Sequence, residues 1–115
     1  MSEAILVVGG NGFIGSRLVG AFVTQGSPVK VVLRAATPKP RAPDVELVPE
    51  PGSVDDWTRV LDGCRAVVHA ASRSTPGLSA GKVCAEVQNN LAPLAALLEA
   101  LQSRPLPLLY LSSAG

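Results

Sequence analysis

The residues whose types and spacing suit chemistry begin with a glycine cluster, Gly9-Gly10-Asn11-Gly12-Phe13-Ile14-Gly15. Two registers fit it: Gly10-x-Gly12-x-x-Gly15 and the looser Gly9-x-x-Gly12-x-x-Gly15, with Gly12 and Gly15 common to both. Glycines so spaced let the backbone turn sharply, let a diphosphate approach bare amides, and let the next helix lie close to a sheet. That helix adds unpaired N–H groups and the positive end of its dipole. The competing reading is a glycine-rich turn that holds no ligand. Arg34, His69 with Ala70 and Ala71, and the pair Ser112-Ser113 are the other residues of interest, each standing at the end of a β-prone run.

These positions rest on the elements that carry them. Ala4 to Val8 is β-prone and stops at the glycines. Over 12–25 the pattern is helical: Ile14, Leu18 and Phe22 recur at i, i+4 and i+8 with Val19 beside them, and Gly26 is the stop signal. A second strand follows over 29–34, then an exposed basic loop over 35–43 with Pro38, Lys39, Pro40, Arg41 and Pro43. Residues 45–48 make a short third strand. Ser53-Val54-Asp55-Asp56 has the Ser-x-x-acid pattern that opens a helix, with Trp57, Val60 and Leu61 as its buried side and Gly63 as its end. Asp55 and Asp56 read as first-turn acids that complement the helix dipole rather than as catalytic groups.

Residues 66–71 form a fourth, buried strand, and 73–82 a loop. Val87, Leu91, Leu94, Leu98 and Leu101 step by four and three along a helix over 83–103, where Pro93 predicts a kink. A fifth strand spans 108–113. Strands alternating with helices predict an α/β fold, a Rossmann-type doubly wound parallel sheet of about five strands in the order 3-2-1-4-5. The glycine turn, Arg34, His69 and Ser112-Ser113 then share the carboxyl edge of the sheet, with the topological switch point between the first and fourth strands. The sheet is expected to be incomplete on its C-terminal side. Leu106, Leu108, Leu109 and Leu111 would lie on an open edge, which invites pairing with a second copy.

A chain of 115 residues, 47% hydrophobic, suits one domain with a buried sheet. The net charge of +1 and the scattered cations argue against nucleic acid or an anionic membrane as partner. The apolar stretch 91–111 is broken by Glu99, Arg104 and prolines, so it is not read as a membrane span. A strand that starts by residue 4 leaves no room for a signal peptide. Cys64 and Cys84 are too few and too isolated for a disulfide framework or a metal site; they read as free thiols in a reducing, cytoplasmic setting.

Four stretches together carry a family resemblance: Gly9-Gly10-Asn11-Gly12-Phe13-Ile14-Gly15, Val67-Val68-His69-Ala70-Ala71, Asn90 with Leu97-Leu98-Glu99-Ala100, and Tyr110-Leu111-Ser112-Ser113-Ala114. In order and spacing they resemble the N-terminal half of the short-chain dehydrogenase/reductase superfamily. The match is to its extended branch, the NAD(P)-dependent epimerase/dehydratase and dihydroflavonol-reductase-like enzymes. The resemblance implies cofactor contacts at Gly9, Gly12, Phe13, Ile14, Gly15, Arg34, His69, Ala70 and Ala71, those at 69–71 made mainly by backbone. It also implies that Ser113, with Ser112 beside it, is the catalytic hydroxyl that hydrogen-bonds the substrate oxygen. Otherwise Ser113 is a strand-end serine capping the next turn. His69 has no acid or base partner in the sequence, so catalysis by its imidazole is not expected.

Departures from the family pattern carry information too. Many members place an acid after a glycine ahead of the third helix, whereas Gly52 is followed here by Ser53. Pro93 replaces a small residue. Arg34 stands where an acid would hold the ribose 2′-hydroxyl of NAD; a guanidinium there pairs with a 2′-phosphate instead, which favours NADP over NAD. Arg17, Lys39 and Arg41 add charge nearby, and the alternative for Arg34 is a solvated strand-end cation.

The family's base is the Tyr of a Tyr-x-x-x-Lys motif, but the sole tyrosine here is Tyr110, with Ala114 four residues on. The 115 residues are therefore expected to be the NAD(P)-binding N-terminal portion of a longer enzyme, inactive alone. The full enzyme would transfer hydride at the alcohol or ketone of a small-molecule substrate. Rival readings are a non-catalytic NAD(P)-binding sensor or scaffold, and a flavodoxin-like module that binds no dinucleotide.

Overall fold

The computed structural model describes residues 3–9, 13–33, 45–70, 84 and 91–111. In chain order its elements are β1 (Ala4–Val8), α1 (Phe13–Thr24), β2 (Val29–Leu33), β3 (Val45–Pro49), α2 (Val54–Leu61), β4 (Cys64–His69), α3 (Ala92–Ser103) and β5 (Leu108–Tyr110). The five strands form one sheet in the order β3-β2-β1-β4-β5, and every neighbouring pair is parallel. This is the doubly wound order expected from the sequence. The loops expected over 35–43 and 73–82 lie outside the described residues.

Parallel strands covered on both faces must be apolar throughout, and β1 is buried at all five positions. Alternate residues serve opposite faces. Ala4, Leu6, Val8, Val32 and Val67 pack with Trp57 and Leu61 of α2 and Leu97 and Ala100 of α3. Ile5, Val7, Val29, Val31, Leu33 and Val68 pack instead with Val19, Leu18, Phe22 and Val23 of α1.

The helix ends follow local chemistry. The Ser53 side chain caps α2, its Oγ accepting from the Asp56 N–H at 3.1 Å. Gly63, at φ +79, follows that helix, and Gly26, at φ +84, follows α1. The carbonyls at the end of α2 are met from three sides. Lys30 Nζ donates to Val60 O (3.2 Å) and Asp62 O (2.8 Å), Arg104 Nε to Leu61 O (3.3 Å), and the buried Cys64 thiol to Val60 O (3.4 Å).

Two expectations change. The kink expected at Pro93 is not among them: residues 85–90, against which it would form, lie outside the described residues, and Leu91, just before the described part of the helix, already has helical backbone angles. Ile14 is 55% exposed rather than part of the apolar face of α1. On the open edge, Leu109 is exposed, but Leu108 of β5 and Leu106 just before it pack against the α2/α3 core.

Candidate functional site

The residues that meet at the carboxyl edge do so because of strand register. Val8, the last residue of β1, pairs with Val32 on one side and His69 on the other. The next residue, Gly9, has φ +90, a conformation that L side chains rarely adopt, and its N–H reaches Val32 O at 3.4 Å. Across the β1/β4 junction the Ala70 N–H donates to Val8 O at 2.8 Å. Gly9 and the pair His69-Ala70 are thereby brought side by side at the switch point, as the sequence predicted.

Helix α1 opens four residues after Gly9, at Phe13, and its first-turn amides emerge at the same edge. Gly15 is buried and Val19, one turn on, is 4% exposed, so this line faces the sheet while Ile14 points outward. Ile14 and the backbone of Phe13 thus stand in the exposed first turn, at the end that carries the positive dipole.

His69 closes β4 and is 8% exposed. It lies two residues beyond Val67, on the α2/α3 face. Its register partner on β5 is Tyr110, and the two rings stack with centroids 5.1 Å apart and 27° between planes. The His69 carbonyl accepts from the Leu111 N–H at 3.0 Å. Burial holds the imidazole below its ordinary pKa of 6.5, so it is neutral at pH 7. Among the described residues, His69 Nδ1 and Trp57 Nε1 are the buried side-chain polar atoms without a hydrogen-bond partner.

Gly12, Arg34, Ala71, Ser112 and Ser113 lie outside the described residues. The residue that sequence reasoning missed is Tyr110, read only as a strand residue. Strand order alone carries no signal for it, because the register that sets Tyr110 opposite His69 is not fixed by that order. Among the described residues no group of His, Cys, Asp and Glu could hold a metal ion, and no helix is long and apolar enough to cross a membrane. The arrangement offers backbone amides, a close-packed helix end and one neutral imidazole. It suits holding an anionic ligand at a sheet edge.

A family model described as the NAD dependent epimerase/dehydratase family matches residues 5–115. No curated protein matches the chain. Among solved structures, a UDP-glucose 4-epimerase is 27% identical with a TM-score of 0.84, covering 97% of this chain and 36% of its own. MoeE5, solved in complex with UDP-glucuronic acid and NAD, is 25% identical with a TM-score of 0.81, over 96% of this chain and 36% of its own. An epimerase from Methanothermobacter thermautotrophicus, 23% identical with a TM-score of 0.83 over 98% of this chain and 36% of its own, shares the fold. The chain spans little more than a third of the length of each.

Proposed function

The chain belongs to the NAD dependent epimerase/dehydratase family, and from that premise we propose that it is the nicotinamide-dinucleotide-binding portion of a short-chain dehydrogenase-type oxidoreductase, epimerase or dehydratase. The observation that carries this reading is Gly9, φ +90, at the carboxyl end of β1 beside His69 and Ala70. The residues present fit such a group. A diphosphate needs bare amides and a helix dipole, and buried Gly15 lets α1 approach the sheet. Gly9, Gly12 and Gly15 would cradle the diphosphate, with the first turn at Phe13 and Ile14 above it. Ala70 and Ala71 would pass the cofactor by backbone.

When bound, the cofactor supplies hydride transfer. In the longer enzyme Ser113 would hold the oxygen of a small-molecule alcohol or ketone. The nucleotide sugar in MoeE5 and the activity named for the UDP-glucose 4-epimerase support nucleotide sugars as that class. Arg34 favours NADP over NAD, by pairing with a 2′-phosphate. The free thiols of Cys64 and Cys84 support a reducing, cytoplasmic setting. The exposed Leu109 and Tyr110 on the edge strand support self-association.

Titration of the chain with NADPH and NADH tests the reading, followed by nicotinamide fluorescence and by the sole tryptophan, Trp57. Saturable binding, tighter for NADPH, is expected. A signal that rises linearly with either nucleotide, without saturation, would refute it.

A further inference from the structure

The backbone of β5 leaves one set of groups open, and the bonds to β4 show which. The Val67 N–H donates to Pro107 O at 2.9 Å and the Leu111 N–H to His69 O at 3.0 Å, so the odd-numbered residues turn their main-chain groups toward β4. These groups alternate sides along a strand, which aims the N–H and C=O of Leu108 and Tyr110 at the open edge. β5 is the last strand of the sheet, and no described residue pairs with that edge. A row of unpaired donors and acceptors is a template for another strand.

The two edges of the sheet differ in how far they resist such pairing. β3 carries the exposed Glu46 and ends on the exposed Pro49, a charge and a residue without an N–H. Between 105 and 111 there is no charged residue. Pro107 stands on the side that faces β4, so its missing N–H takes nothing from the open edge. Arg104, the nearest charge, is engaged with Leu61 O and Asp62. Leu109 is 55% exposed and Tyr110 51%.

We propose that the β5 edge pairs with the β5 edge of a second copy of this chain, antiparallel across a twofold axis at Leu109. This gives a geometry to the self-association proposed above, and it does not depend on nucleotide binding. With Leu109 opposite the partner's Leu109, Leu108 of each copy stands opposite the partner's Tyr110. Both residues aim their main-chain groups outward, so each such pair exchanges two N–H···O bonds. A shift by one residue would set outward groups against inward ones. An axis at Leu108 or Tyr110 would leave one outward residue opposite a position beyond the strand. Leu108 packs on the α2/α3 face, so Leu109 projects from the other. At the axis the two Leu109 side chains form a non-hydrogen-bonded pair, the kind whose side chains come closest.

Sedimentation equilibrium of the 115-residue chain should show a dimer. Leu109→Glu and Leu109→Lys each set two like charges face to face at the axis, and each alone should weaken the dimer about fivefold or more. An equimolar mixture of the two should recover it, since opposite charges then meet. In a Cys84→Ser background, Leu109→Cys should cross-link the copies under mild oxidation, its Cα atoms being about 4.5 Å apart. Leu111→Cys in the same background should not, since the two copies of that residue stand roughly 14 Å apart along the strands. A chain that stays monomeric at high concentration overturns the pairing together with the self-association, and leaves the edge to a further strand of a longer chain. A dimer that survives Leu109→Glu and leaves Leu109→Cys without a cross-link overturns this pairing alone and puts the contact on another surface.

Discussion

The Lys30 ammonium of β2 sits against the carbonyl oxygen of Asp62 at 2.8 Å, thirty-two residues along the chain, and reaches Val60 O at 3.2 Å as well. A strand residue thus closes the C-terminus of α2, where backbone carbonyls lack intrahelical donors and the dipole is negative. Arg104, following α3, supplies the neighbouring bond to Leu61 O. This clamp lies at the amino edge of the sheet, the far side from Gly9 and His69. The clamp and the proposed ligand edge therefore lie at opposite ends of the same strands.

Lys30→Met should lower folding stability by about 1 kcal/mol, the scale of a charge-assisted cap at a helix end. Nucleotide affinity should stay the same, since the carboxyl edge is untouched. Urea unfolding, with NADPH titration in parallel, reads both quantities. A drop in affinity matching the loss of stability would contradict the separation of the two edges.

Gly9→Ala and Gly63→Ala form a matched pair, because both glycines have positive φ, +90 and +79. Each substitution should cost about 1–2 kcal/mol in backbone strain. Only Gly9→Ala should also weaken nucleotide binding, by an order of magnitude or more, since only that glycine lies at the proposed ligand edge. At Gly63 an added Cβ meets nothing within 4 Å, so strain acts there alone. Comparing urea midpoints with dissociation constants for the two variants separates the effects.

Arg34→Asp should reverse the cofactor preference. A carboxylate repels a 2′-phosphate and accepts from a 2′-hydroxyl, so NADPH should bind about tenfold more weakly while NADH holds or improves. Equal loss for both nucleotides would show that Arg34 does not read the 2′ position.

Stability should fall toward both ends of the pH scale, for two different groups. Burial lowers the pKa of His69, so the folded chain binds fewer protons than the unfolded one; stability is full above the ordinary value of 6.5 and declines as pH drops below it. Carboxylates titrate from about pH 5 downward, which leaves the first part of this decline to the sole histidine. Burial raises the pKa of Cys64, so the folded chain keeps a proton that the unfolded one loses; stability declines as pH rises past 9.0. Urea midpoints on either side of 6.5 check the acid limb, which should vanish in His69→Phe. Midpoints on either side of 9.0, with Cys64→Ala as control, check the alkaline limb.

Short-range signals made most of the fold legible. Glycine and proline punctuation, the Ser53 cap and the apolar runs marked nearly every described element to within a few residues, and their alternation implied the 3-2-1-4-5 order. Gly9, Gly15, His69 and Ala70 could be placed at the carboxyl edge on the same grounds. The kink expected at Pro93 turns on residues 85–90, which lie outside the described ones.

The sequence by itself determined the kinds of element, their succession and the glycine turn, since these follow from backbone preferences and spacing within a few residues. Only the tertiary structure decided that Gly15 rather than Ile14 faces the sheet, that Tyr110 stacks on His69, that Leu106 and Leu108 turn inward, and that Lys30 closes α2. The rotation of a helix about its axis and the partners of a strand-end side chain are set by packing between segments distant in the chain. That packing leaves no local trace.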